Sequence, residues 1–140
     1  MSDNTIHQGQ CACGDVRYTC SSEPVSVMAC HCRDCQYASG SAFATVAFFP
    51  AASCEMTGES KVYTVKGDAG LTINRHFCGN CGTPLYSVAT EMPDLLFIKV
   101  GSLDKPSSVD LQGHMWCDSM VSWLKLNDGL VQLPGNPPLG

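Results

Sequence analysis

The sequence predicts a mostly β domain built from short antiparallel strands. Short segments rich in β-branched and aromatic residues recur between Gly, Pro and Ser punctuation, and no segment holds a sustained helical period. With 140 residues, 44% of them hydrophobic, thirteen Gly and eight Pro, the chain suits one core threaded by many loops.

Taken in order, strands are expected at 15–19, where Val16 and Tyr18 alternate with polar residues, at 25–30, and at 43–49 around Val46, Phe48 and Phe49. Further strands are expected at 61–65, 71–77, 85–88, 95–100, the most apolar of the set, and 109–116. One helical turn is expected at 33–38 and another at 120–124. Residues 1–126 read as a single metal-binding domain. The segment 127–140 holds three Pro and three Gly, and it reads as a C-terminal tail lying extended on the surface with few hydrogen bonds. No internal repeat is evident.

Charge and composition exclude several functions. The start of the chain, Met1 to Thr5, is neither basic nor apolar, and no run is long enough to span a bilayer, so no membrane association and a cytoplasmic location are expected. Eight Lys and Arg against thirteen Asp and Glu, with a formal net charge of -5 and no basic run, argue against nucleic-acid binding. Seven metal-bound thiolates with two divalent ions would add about three further negative charges.

The chemistry is concentrated in the cysteines. Ten are present, and seven fall in three tight groups: Cys11 and Cys13; Cys30, Cys32 and Cys35; Cys78 and Cys81. In a reducing compartment such clusters point to thiolate ligation of zinc rather than to disulfides. Cys78-Gly-Asn-Cys81-Gly82 is a turn that aims two thiolates at one ion. Cys11 and Cys13, followed by Gly14, complete a closed four-thiolate structural site. Cys30, Cys32 and Cys35 supply three ligands and leave a fourth position for a substrate thiol, which zinc would hold as an activated nucleophile. An alternative is closure of this second site by Cys54, Cys117 or His114, and loss of its metal or oxidation of its thiols is another.

His31 lies between two ligands but faces the other way along an extended segment. Arg75 is a candidate for offsetting thiolate charge or gripping a substrate carboxylate, and His114 is a candidate general base. Trp116, Trp123 and Phe43 read as core or pocket wall, and Cys20, Cys54 and Cys117 as small buried hydrophobes.

The stretches 9–18, 30–35 with 40–43, and 75–85, followed by Gly101-Ser-Leu-Asp104, His114-Met-Trp116 and Trp123, resemble the glutathione-dependent formaldehyde-activating enzyme family, whose domain is shared with centromere protein V. The resemblance spans about residues 7–124. It implies an Mss4-like β fold, a structural zinc on Cys11, Cys13, Cys78 and Cys81, and a substrate-side zinc on Cys30, Cys32 and Cys35. It also implies addition of the glutathione thiol to formaldehyde, a carbon–sulfur lyase reaction in reverse, at Cys30, Cys32 and Cys35, to which the residues themselves add Arg75 as a catalytic candidate. The chain departs from fuller relatives at Gln36-Tyr37, where basic residues are common, and it shows no cluster that would grip two glutathione carboxylates. Alternatives from other classes are a non-catalytic zinc module for a protein partner and a thiol or aldehyde sensor.

Overall fold

The computed structural model describes residues 5–67 and 70–137. The expectations for Met1–Asn4 and for the last three residues of the tail lie outside them. The fold is mostly β. Among the described residues, eleven strands form a three-stranded sheet, β1 (His7–Gln10), β2 (Arg17–Cys20) and β5 (Cys54–Thr57), and an eight-stranded sheet. The large sheet has the order β11 (Val131–Gln132), β10 (Gly113–Met115), β3 (Ser26–Cys30), β4 (Ala44–Pro50), β9 (Met92–Lys99), β8 (Pro84–Ala89), β7 (Thr72–Cys78), β6 (Ser60–Lys66).

Alternation along the central strands gives the large sheet two apolar faces. Val27, Ala47, Phe49, Leu96 and Ile98 pack with Tyr18 and Cys20 of the small sheet, and with Val16 just before it, to form the main core. Their sequence neighbours Met28, Val46, Phe48 and Phe97 point to the other side, where they form a second cluster with Cys30, Cys35 and Met115. The small sheet therefore covers one face and leaves the other free to build a site.

The expected strands are present with boundaries shifted by a few residues, except that 109–116 contracts to Gly113–Met115. Three strands escaped the sequence reading: β1, β5 and β11 are short and lack a run of β-branched residues. Pairing is antiparallel except at one edge, where β10 runs parallel to both β3 and β11. The helical turn after the middle cysteines is α1 (Arg33–Ser39), started by the Cys32 sulfur accepting from the Cys35 N–H and ended at Gly40. No helix forms at 120–124. A single 3-10 turn at Cys117–Ser119 lies just before it.

Residues after 127 make more hydrogen bonds than their composition suggests. The Leu133 N–H donates to the His114 carbonyl, and the N–H groups of Trp116 and Cys117 donate to the carbonyls of Gly135 and Leu133. Gly and Pro limit what this segment can do alone, but β10 offers an unpaired edge that satisfies its backbone.

Candidate functional site

The seven clustered cysteines gather from three groups in sequence into two sets in space. The sulfur atoms of Cys11, Cys13, Cys78 and Cys81 all lie within 4.8 Å of one another, and so do those of Cys30, Cys32 and Cys35. Zinc–sulfur bonds of about 2.3 Å at tetrahedral angles place sulfurs about 3.8 Å apart. The separations of 3.6 Å for Cys11–Cys13, 3.7 Å for Cys13–Cys78 and 3.4 Å for Cys30–Cys32 match that edge closely enough for either set to hold a metal ion.

Two turns of like construction build the four-thiol set. Gly14 and Gly82 follow the second cysteine of each pair at φ of 83° and 80°, and their N–H groups donate to the carbonyls of Cys11 and Cys78. Backbone N–H groups then point at sulfur: Val16 donates to Cys11 at 3.3 Å, and Asn80 and Cys81 donate to Cys78 at 3.3 and 3.4 Å. Such donors stabilise thiolates. Thr83 joins the turns, since its hydroxyl accepts from the Ala12 N–H, and its hydrogen bonds hold the Cys81 thiol down at about 5.

The three-thiol set sits at the end of β3 and the start of α1. Here the backbone turns into the helix immediately after Cys32, which brings Cys35 back over Cys30. Hydrogen bonds with Cys32 and Cys35, together with burial, push the Cys30 thiol up, so negative charge settles on Cys35. Hydrogen bonds from Cys30 and then Cys32 lower the Cys35 thiol, and the charges of Lys99 and Arg75 add to the effect. Buried Gln36 locks this loop by donating to the carbonyls of His31 and Ser119 at 2.9 and 3.1 Å.

A cavity of about 130 Å³ opens beside these three thiols on the free face of the large sheet. The strand register shows how it is lined. Phe48, Phe97, Ser87 and Arg75 stand in one row across β4, β9, β8 and β7, and Lys99 lies two residues along from Phe97, opposite Val46. Leu71, Ile73, Met92 and Leu95 complete an apolar wall, and Asp34 of α1 also lines the space. Ser87 is 2% exposed, and its hydroxyl has no hydrogen-bond partner among the described residues. Burial lowers the Lys99 ammonium, while the Cys35 thiol opposes that shift.

Trp116 closes one side. It is the only non-Gly residue with positive φ among the described residues, at 60°, and its indole N–H donates to the Asn136 side chain at 2.6 Å. Asn136 and Pro137 line the same cavity. A bulky residue held in the left-handed region marks a place where surrounding contacts dictate the backbone.

The structure brings Arg75 to the three-thiol cavity and sends its neighbour His76 to the other face, stacked on Tyr86 at 4.3 Å and bonded to Ser60 at 2.8 Å. His114 does not line the cavity. It is buried, with its ring nitrogens bonded to His31 and Asp128, which corrects its reading as a general base. Nor do Cys54, Cys117 or His114 join the three-thiol set. Cys54 instead lies 3.6 Å from Cys20 across paired strands. Trp123 is 72% exposed and forms neither core nor wall. Lys99, Ser87, Asn136 and Pro137 were missed by sequence reasoning. A lysine at the end of an apolar strand was the one available signal.

Comparison with known proteins places this arrangement. The family model described as "Glutathione-dependent formaldehyde-activating enzyme" matches residues 6–119. The chain belongs to this family. A Fusarium vanettenii protein named "Putative glutathione-dependent formaldehyde-activating enzyme" is 34% identical over 83 residues, covering 52% of this chain and 44% of that protein. The chain thus spans under half the length of that relative. A crystal structure of a Rhodobacter sphaeroides protein aligns with a TM-score of 0.54 at 16% identity, over 90% of this chain and 98% of the other, a likeness of fold alone. The formaldehyde-activating family match takes in all seven clustered cysteines, Arg75, Ser87, Lys99 and Trp116. Among the described residues no helix is long and apolar enough to cross a membrane.

Proposed function

We propose that this chain is a zinc-dependent protein of the carbon–sulfur lyase type that joins a small thiol, such as glutathione, to a small aldehyde, such as formaldehyde, and runs the reverse cleavage, as an S-(hydroxymethyl)glutathione synthase does. The observation that carries the reading is the inequality of the thiol sets: four thiols satisfy a tetrahedron, whereas three line a cavity beside two cationic side chains. The family description supports the identity of the thiol and the aldehyde. Ten free cysteines suit a reducing compartment such as the cytoplasm.

On this reading Cys11, Cys13, Cys78 and Cys81 hold a structural zinc, and Cys30, Cys32 and Cys35 hold a second zinc toward the cavity. When bound, the second zinc supplies a Lewis-acidic position that favours the thiolate of an incoming thiol. The protein supplies the rest. Arg75 and Lys99 lower the electrostatic cost of adding a fourth thiolate to three, and the apolar walls keep competing water from the reacting centre. The sulfur lone pair forms the carbon–sulfur bond, the carbonyl π pair moves to oxygen, and the proton lost by the thiol ends on the new hydroxyl.

Zinc content per chain, followed through mild chelation with and without glutathione, tests the proposal alongside the rate of exchange between formaldehyde and its glutathione adduct. About two zincs are expected, one of them selectively labile and protected by glutathione. Cys32→Ser is expected to abolish both that response and catalysed exchange while the protein stays folded. Two equally inert zincs with no glutathione effect would refute the reading and favour a protein-binding module.

A further inference from the structure

We infer that the three-thiol site takes thiol–aldehyde adducts carrying a short hydrocarbon body, aliphatic or aromatic, which occupies the cavity between β4, β9 and β7. The inference rests on the proposed carbon–sulfur chemistry and narrows its substrate. Two observations lead to it, one of size and lining, the other of charge.

The cavity measures about 130 Å³, and apart from its thiols, its cations and a few polar groups it is walled by apolar side chains, Val46, Phe48, Phe97, Leu71, Ile73 and Leu95 among them. A dry apolar cavity of about 150 Å³ accommodates a benzene molecule. Formaldehyde, with a single carbon, leaves such a space unfilled and gains nothing from its walls. A chain of roughly five or six carbons, or one aromatic ring, would remove the same walls from water along with its own surface.

Charge points the same way. Three ligand thiolates, an incoming thiolate and the Asp34 carboxylate face one divalent ion, Arg75 and Lys99, so negative charge is already in slight excess. Among the described residues, no cation that lines the cavity is left for a substrate carboxylate, and glutathione carries two. An uncharged body avoids that cost. The Ser87 hydroxyl, buried without a partner in the wall and opposite Arg75 in the β7–β8 register, is placed to bond the oxygen that the aldehyde contributes.

The hydrocarbon can enter on either component, and two arms of one experiment separate the sources. On the zinc-loaded full chain, dissociation constants are measured by calorimetry for phenylmethanethiol, 2-mercaptoethanol and glutathione. In the second arm, hexanal and formaldehyde are compared in the presence of a fixed concentration of 2-mercaptoethanol. In at least one arm the hydrocarbon-bearing compound is expected to bind about tenfold more tightly than its small counterpart, roughly the effect of burying two methylene groups. Met92→Ser and Leu71→Asn, both at half-buried positions, are expected to reduce that margin to about threefold or less at unchanged zinc content. No gain in either arm, or glutathione binding tenfold more tightly than phenylmethanethiol, overturns the inference. A hydrocarbon preference without catalysed adduct exchange would uphold it and sink the proposed reaction alone. Fast glutathione–formaldehyde exchange without the preference would do the opposite.

Discussion

His31 Nε2 lies 2.9 Å from His114 Nδ1, so the loop that carries the three thiols is fastened to β10 through a pair of buried rings. The proton positions follow from the far end. The Asp128 carboxylate, 2.7 Å from His114 Nε2, accepts that nitrogen's proton, which leaves His114 Nδ1 to accept from His31 Nε2–H. The His31 ring is then neutral, in keeping with its lowering by burial and by the nearby His114.

His114→Ala would strand the His31 N–H in the interior and open a cavity between the rings. A loss of about 2–5 kcal/mol is expected from the two effects together. Urea denaturation at neutral pH measures it. A midpoint within error of the parent protein would show that the ring pair carries no stability.

Asp128 makes that stability pH-dependent, because its hydrogen bond from His114 and a second one from the Leu130 N–H hold its carboxyl below the usual carboxylate range. With the folded value depressed, the unfolded chain takes up the proton first as pH falls. The contribution is therefore complete above the unfolded carboxylate value, near pH 4, and is lost as pH falls through the folded value. Asp128→Asn keeps an acceptor but not the charge. The gap in urea midpoint between parent and variant is expected to be widest near pH 6 and to close toward pH 3. A gap constant across that range would rule out the carboxylate as its source.

The two thiol sets should respond differently to loss of a ligand. Cys78 is buried where the turn at 78–82 meets the turn at 11–14, so Cys78→Ser unfastens two segments that have few other ties. A structural zinc contributes on the order of 10 kcal/mol to folding in small systems. Loss of both zincs and of the cooperative thermal transition is expected. Cys35→Ser lies on α1, beside a cluster already held by β3, β4 and Gln36, and it should cost one zinc and leave far-ultraviolet dichroism intact. Equal damage from both substitutions would contradict the division into closed and open sets.

The sequence displayed the thiol sets and the central strands because both depend on local pattern. Cys-x-x-Cys spacing survives without knowledge of the fold, and the near-continuous apolar runs of β4 and β9 reflect burial on both faces. What stayed hidden depends on pairing across distance. β11 and the hydrogen bonds of Asn136 exist only because β10 presents an edge, and nothing in 127–140 announces that. Ser87 reads as an ordinary polar strand residue until the register sets it beside Arg75 and Phe97. His114 was readable as a base because sequence cannot show that both its nitrogens are occupied.

Gly9 shows how tightly the small sheet closes on the rest. A Cβ at this position would overlap the Tyr18 ring and hydroxyl and the Ser102 carbonyl oxygen. The Tyr18 hydroxyl is bonded at 2.6 Å to the Ser102 hydroxyl, which also donates to the Lys99 carbonyl at 2.7 Å, so neither neighbour can retreat without breaking a buried contact. Gly9 also bridges to Leu103 and pairs with Tyr18 in the sheet, which pins the backbone itself. Gly9→Ala is therefore expected to cost at least about 1–3 kcal/mol, the usual penalty of overpacking, although its backbone conformation suits alanine. Tyr18→Phe removes the hydroxyl and part of the overlap. In the Tyr18→Phe background, Gly9→Ala should cost measurably less, and a double-mutant cycle on thermal stability reads the difference. Strict additivity of the two substitutions would place the strain at the Ser102 carbonyl instead.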